Sequence, residues 1–339
     1  MKIKWGIFLL CFVAFLEGCQ STPETQSIGF DKTPSPSATP TVQIVDTIIP
    51  SPNPSATREH LQKLHPGNYL IYLSNTYEEL RLTSLGGTFE YAFTSVPKIT
   101  SFDLSADHKK FVYQDVDGMI WIHMISSSEN VPAPQPNILN GAWYESGPRW
   151  SPDGSKLVYA AATISIINEQ PEVEEFPSLW VSYINEDKVE KVTDWPFIET
   201  DPTWSPDEQW IAFTSDHENI DSANGIVGDS TDLYIMPTSC LDNPDKCDEL
   251  SQKVTNIGSS GWLRTPTWSP DSSQIAFVCV SEDNSHIELC VYNLDSKVVN
   301  HLAVLSDHTA RMDWSPNSDQ VIFTSNDDIY LIQSNGGSS

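Results

Sequence analysis

Four near-identical turns, Trp150-Ser151-Pro152-Asp153, Trp204-Ser205-Pro206-Asp207, Trp268-Ser269-Pro270-Asp271 and Trp314-Ser315-Pro316-Asn317, recur at intervals of roughly 45–65 residues. Such self-similarity marks a chain of stacked supersecondary units, none of which buries its own faces alone. Aligned on the tryptophan, the copies share one plan. A short segment enters the Trp, as in Gly147-Pro148-Arg149, Asp201-Pro202-Thr203 and Thr265-Pro266-Thr267. Proline presets φ for the second position of a tight turn and Asp suits the next, so Ser-Pro-Asp reads as a hairpin connection. A second apolar run follows (Leu157-Val158-Tyr159, Ile211-Ala212-Phe213, Ile275-Ala276-Phe277, Val321-Ile322-Phe323). A third comes after it (Leu179-Trp180-Val181, Leu233-Tyr234-Ile235, Ile287-Glu288-Leu289, Ile329-Tyr330-Leu331). Val189–Thr193, Lys253–Thr255 and Val298–Leu302 supply a fourth. Four short strands between turn residues describe one propeller blade.

Two further units keep the plan without the signature. Phe102-Asp103-Leu104-Ser105-Ala106-Asp107 stands where Trp-Ser-Pro-Asp stands elsewhere, and Tyr69–Phe93 reads as a first unit without its opening strand. The expectation is an all-β fold, a single propeller of six four-stranded blades, with seven as the alternative. The pattern Trp-Ser-Pro-Asp-Gly-x-x-Ile-Ala-Phe…Ile-Tyr resembles the TolB-type, WD40-like β-propeller repeat over residues 67–339, with Trp150–Gly154 its fullest copy. The resemblance implies a scaffold of the cell envelope that grips partner segments at its channel. The turns themselves are read as scaffold and not site, stacking the blades with each Trp buried between neighbours.

Ahead of the repeats, Lys2 and Lys4 precede an apolar run from Trp5 to Leu16 that is too short to span a bilayer. Its ending, Leu16-Glu17-Gly18-Cys19, resembles a bacterial lipobox, which implies cleavage before Cys19 and acyl chains on it. Residues 1–18 are thus expected to be a signal peptide. Residues 19–66, rich in Ser, Thr and Pro, are expected to be a disordered tether and 67–339 the propeller. Val42–Ile49 is β-branched and strand-like. Because the first and last units are each a strand short, this stretch is expected to supply one and lock the ring.

Besides Cys11 and Cys19, four cysteines remain: Cys240, Cys247, Cys279 and Cys290. An even count in an exported domain suggests disulfides. Cys240 and Cys247 bracket a loop, while Cys279 and Cys290 lie on consecutive strands, either bonded or as buried thiols. With no Cys-x-x-Cys or paired His, neither a metal nor another cofactor is expected. Net charge is −28, and loss of Lys2, Lys4 and Glu17 with the signal makes it −29. An acidic surface disfavours nucleic acid and anionic headgroups and keeps an exported monomer soluble.

In a blade of this order the second-to-third and the fourth-to-first connections share one face, and these are the irregular ones. Binding residues concentrate on such loops. The candidate binding residues are Trp143, Tyr144, Trp195, Phe197, Trp262, Arg264 and His308, with Arg149, Asp201 and Arg311 near the channel; each aromatic alternatively tucks between blades. The run Asp216–Asp232 lacks the spacing of a calcium loop and reads as a solvated acidic loop. No nucleophile elbow, His-Glu-x-x-His, phosphate loop or dinucleotide fingerprint occurs, and no carboxylate pair is singled out. The expected function is a non-enzymatic, lipid-anchored, extracytoplasmic scaffold binding a protein or peptide of the envelope. The alternative is a propeller that binds or hydrolyses carbohydrate.

Overall fold

In a computed structural model of the chain, the described residues are 43–44, 69–73, 80–84, 90–92 and 99–335, the last range with breaks at 116, 137–141, 168–169, 174–175, 218–219, 222–225, 228–230, 257–262, 282–284, 307–311 and 326–327. Cys19, Trp262, His308 and Arg311 lie outside them. Strand β1 (Gln43–Ile44) precedes β2 (Tyr69–Leu73), β3 (Leu80–Ser84) and β4 (Glu90–Ala92). The first blade comprises β5 (Ile99–Leu104), β6 (Lys110–Asp115), β7 (Ile120–Met124) and β8 (Glu129–Pro132). The second comprises β9 (Ala142–Trp150), β10 (Lys156–Ile167), β12 (Ser178–Tyr183) and β13 (Lys188–Lys191), with β11 (Gln170–Val173) folded back on the long end of β10.

The third blade holds β14 (Glu199–Trp204), β15 (Trp210–Ser215), β18 (Asp232–Pro237) and β19 (Gln252–Lys253), with a small hairpin of β16 (Ile220–Asp221) and β17 (Ile226–Val227) between β15 and β18. A short helix α1 (Cys247–Leu250) precedes β19. The fourth blade is β20 (Arg264–Trp268), β21 (Gln274–Val280), β22 (Ile287–Asn293) and β23 (Val298–Leu305). The fifth is β24 (Met312–Trp314), β25 (Gln320–Ser325) and β26 (Asp328–Gln333), completed by β1. All pairing within the blades is antiparallel, in chain order from the inner strand outward except in the fifth, whose outer strand is β1.

These sheets form a propeller ring of five blades, not six or seven. The higher count came from treating Tyr69–Phe93 as a blade. Its strands β2, β3 and β4 make a three-stranded sheet, joined by no fourth among the described residues. The last blade is completed from the other end of the chain, with Gln43 opposite Leu331 and Ile44 opposite Tyr330.

Among the described residues, four apolar clusters hold the blades together, and each spans two successive ones. Val112, Ile122, Trp150 and Tyr159 join the first blade to the second, and Val158, Val181, Trp204 and Phe213 the second to the third. Ala212, Leu233, Trp268 and Phe277 then join third to fourth, and Val278, Leu289, Trp314 and Phe323 fourth to fifth. The repeated tryptophans are the wedges of these seams, only 5–7% exposed. Burying a side chain of Leu or Phe size contributes about 1.5–3 kcal/mol, so the seams carry most of the stability.

The repeated turn is a small hydrogen-bonded unit. The serine hydroxyl donates to the aspartate two residues on, at 2.6 Å in Ser151–Asp153, Ser205–Asp207 and Ser269–Asp271 and at 2.7 Å in the degenerate Ser105–Asp107. The same hydroxyl accepts the N–H that opens the second strand, from Lys156, Trp210 or Gln274. The residue after the aspartate or asparagine always has positive φ: Gly154 at 68°, His108 at 56°, Glu208 at 61°, Ser272 at 61° and Ser318 at 63°. Only the fullest copy of the motif has glycine there, which tolerates this region without strain.

Candidate functional site

The inner strands β5, β9, β14, β20 and β24 lie side by side around the channel. The residue just before the tryptophan (Leu104 in the first blade) occupies one repeated position on each. Around the ring this position reads Asp103, Arg149, Thr203, Thr267 and Asp313, so one guanidinium stands among acids and hydroxyls. Arg149 is half-buried and donates through Nη1 to the carbonyl of Phe102 at 3.3 Å. Asp103 accepts the N–H of Trp150 at 2.8 Å. Burial raises its carboxyl above the usual range, against the pull of Arg149 and the Trp150 N–H, and nearby Asp313 raises it further. Asp313 is likewise raised by burial and drawn down by the Trp314 N–H and by Arg149. Asp313 itself is exposed.

Two residues earlier, nearer the start of the inner strand, the ladder slips in several blades. Register shifts occur between Thr200 and Thr203, between Arg264 and Thr267 and between Ile99 and Ser101. At two of these bulges the backbone is left-handed, with φ of 52° at Asp201 and 51° at Thr265. A β-branched residue in that region is a genuine outlier. The Thr265 N–H donates to the Asp201 carboxylate at 3.2 Å, tying the same position of successive blades together. In the second blade the position is Gly147, where a Cβ would lie 2.1 Å from the Ser101 hydroxyl. Bulges with strained backbone cluster at functional sites.

The rim of the third blade holds a second assembly. Trp195 stacks on His217 with centroids 4.1 Å apart at 15°, and meets Tyr234 edge-on at 5.5 Å. Phe197 meets the same imidazole edge-on at 4.8 Å. The Tyr234 hydroxyl donates to the His217 carbonyl at 2.7 Å. Trp195 also packs on the seam between second and third blades, so it is half-buried in the protein's own contacts. Beneath it Glu199 is fully buried, accepting the Thr193 hydroxyl on Oε2 at 3.0 Å. Its Oε1 has no hydrogen-bond partner among the described residues. Burial, with help from Asp248 and Asp216, pushes this carboxyl up to about 9.

Other sequence candidates fall apart in space. Trp143 and Tyr144 lie within strand β9, not on a loop, because the long β10 pairs back as far as Ala142; Trp143 stands opposite Ala162. The same strand pairs Ile164–Ile167 with Gln170–Val173, antiparallel, within the expected 163–177 loop. Arg264 is exposed at the start of β20. The ends of the acidic run are structural. Asp216 accepts the Ile198 N–H at 2.8 Å, while buried Asp232 accepts the Thr255 hydroxyl at 2.7 Å and pairs with Lys253 at 2.9 Å. Disulfides join Cys240 to Cys247 and Cys279 to Cys290. Asp103, Asp313, Thr265 and Glu199 were not singled out by sequence. The first two stand at the repeat position that also carries Arg149.

Radial four-stranded sheets, seams of repeated tryptophan and a bulged, charged channel mouth define a TolB-like β-propeller. Over 77% of the chain the fold matches the crystal structure of TolB from Acinetobacter baumannii, at 21% identity and a TM-score of 0.54, covering 60% of that chain. The tricorn protease shares it at 12% identity and 0.54, over 78% of this chain and 28% of that one. An oligogalacturonate lyase in complex with manganese shares it at 11% and 0.53, covering 79% and 86%. At such identities the likeness is one of fold. In sequence, 131 residues are 30% identical to an uncharacterized peptidase YuxL of Bacillus subtilis, spanning 38% of this chain and only 16% of the peptidase. No family model matches the chain.

Proposed function

We propose that this chain is an extracytoplasmic propeller, anchored through lipid on Cys19, that grips a protein or peptide segment without chemistry at its channel mouth. One observation carries the reading: the left-handed backbone of Asp201 and Thr265, joined by a hydrogen bond, on inner strands of the same ring as Arg149, whose charge acts on both Asp103 and Asp313. Strain of this kind persists where the surrounding structure over-determines a binding surface. Arg149 supplies a rigid donor fork and the two aspartates supply its complement. Trp262, His308 and Arg311 belong to the proposed rim, as do Phe197 and Arg264. Trp195, Trp143 and Tyr144 are proposed as its walls.

The test is capture from detergent-solubilised membranes by the tagged chain, followed by affinity measurement with the recovered partner. Arg149→Ala and Thr265→Gly should each weaken binding at least tenfold while the fold is kept. Equal binding by both variants would remove the channel mouth from the reading. Labelling with a radioactive fatty acid that persists in Cys19→Ser would remove the anchor.

A second reading is favoured by the same carboxyls. Asp103 and Asp313 are both raised and share one arginine, and perturbed carboxyl pairs serve acid–base chemistry on glycans. A glycan hydrolysis screen that shows activity lost in both Asp103→Asn and Asp313→Asn would select it over the scaffold.

A further inference from the structure

The fourth blade carries a donor set that the channel reading does not use. Cys279, Glu288, Cys290 and His301 come from three consecutive strands, β21, β22 and β23. The ladder places them on one face: Cys279 stands opposite Glu288, and Cys290 opposite His301. One ligand atom from each lies within 4.8 Å of every other. His301 Nδ1 is 2.5 Å from Glu288 Oε2 and 3.5 Å from Cys290 Sγ. The sulfurs are buried between the third and fourth blades, while Glu288 is half-buried and His301 exposed, so an ion can enter from solvent.

We propose that this quartet is a redox-gated site for a zinc-class divalent cation. Two thiolates, an imidazole and a carboxylate are the ligands that tetrahedral zinc takes, at about 2.3 Å for sulfur and about 2.0–2.2 Å for nitrogen and oxygen. Those lengths set ligand atoms roughly 3.3–3.8 Å apart, within the spread seen here. With Cys279 and Cys290 joined as a disulfide, the site lacks its thiolates and is closed. A dithiol reductant opens it. Two electrons and two protons pass to the cystine, giving two thiols, and the reductant becomes its own disulfide. The cation then binds as both thiol protons leave to solvent, and neutral His301 coordinates through Nδ1 with its proton on Nε2. Bound metal would in turn protect the thiols from reoxidation.

The experiment titrates cobalt(II) into the full chain before and after treatment with a phosphine reductant. Reduced chain should bind one equivalent with visible tetrahedral bands and an ultraviolet thiolate-to-metal band; oxidised chain should show neither. Glu288→Gln and His301→Ala lie at partly open positions and should fold, and each should lower cobalt affinity at least tenfold. The double variant Cys240→Ser, Cys247→Ser should keep the spectrum. Absence of the thiolate band, its loss in that double variant, unchanged affinity in His301→Ala and Glu288→Gln, or loss of β circular dichroism on reduction would each overturn the site.

Discussion

The hydroxyl of Ser272 accepts the main-chain N–H of Asp207 at 3.0 Å, although the two residues belong to turns of different blades. The same relationship recurs one step on, where Ser318 accepts the N–H of Asp271 at 3.1 Å. A left-handed serine in one turn therefore caps the turn before it. Ser272→Ala should cost up to about 1 kcal/mol by removing that hydrogen bond from an exposed turn. Glu208 holds the same backbone conformation, so Glu208→Gly should gain up to about 1 kcal/mol. Urea midpoints of the two variants should move in opposite directions.

The tryptophans are not equivalent. Trp314 donates its indole N–H to the Thr267 carbonyl at 3.1 Å, and Trp268 donates to Thr203 at 3.3 Å. The indole N–H groups of Trp150 and Trp204 find no partner among the described residues. Trp314→Phe should thus destabilise by about 1 kcal/mol more than Trp204→Phe, because only the first change removes an indole hydrogen bond. Chemical denaturation of the pair measures it.

Glu199 makes stability fall as pH rises. Its carboxyl moves from an ordinary 4.5 up to about 9 on folding, because burial disfavours the charge. The folded state then holds a proton that the unfolded chain releases throughout that window. Stability from this group is full below 4.5 and declines above it by at most about 1.4 kcal/mol per pH unit. Glu199→Gln should abolish its share of the slope, read from unfolding midpoints between about pH 6 and about pH 8.

Asp103 and Asp313 both feel Arg149, which draws their carboxyls down against the effect of burial. Arg149→Met should therefore raise the titration of both still further. Carboxyl carbon shifts followed by NMR report the direction for each residue separately.

Thr265 separates stability from binding. Its hydroxyl has no partner among the described residues and its backbone is left-handed, so glycine should relieve about 1–2 kcal/mol of strain. The thermal midpoint should rise by a few degrees while affinity for the partner falls.

The repeats were legible because Trp, Pro and Asp each force one local outcome. Burial, a fixed φ and a capped turn coincide at four places, and the blades follow from them. The number of blades was not legible, because Tyr69–Phe93 shows strands without showing whether an inner one joins them. Loop assignments failed at Trp143 and Tyr144, where nothing in the local sequence signals that β10 runs on to Ile167. The buried role of Glu199 was hidden too, since its environment comes from Thr193, Asp216 and Asp248 across two blades. The Cys279–His301 quartet depends on ladder register, which spacing along the chain does not encode.

Pairing of Gln43–Ile44 with Tyr330 and Leu331 has a consequence for biosynthesis. The fifth blade must wait for its outer strand partner until residues 328–333 have been made, although Gln43 and Ile44 leave the ribosome nearly three hundred residues earlier. A nick or deletion that removes 328–333 should act on every blade at once, as cutting a hoop at one rivet slackens its whole circumference.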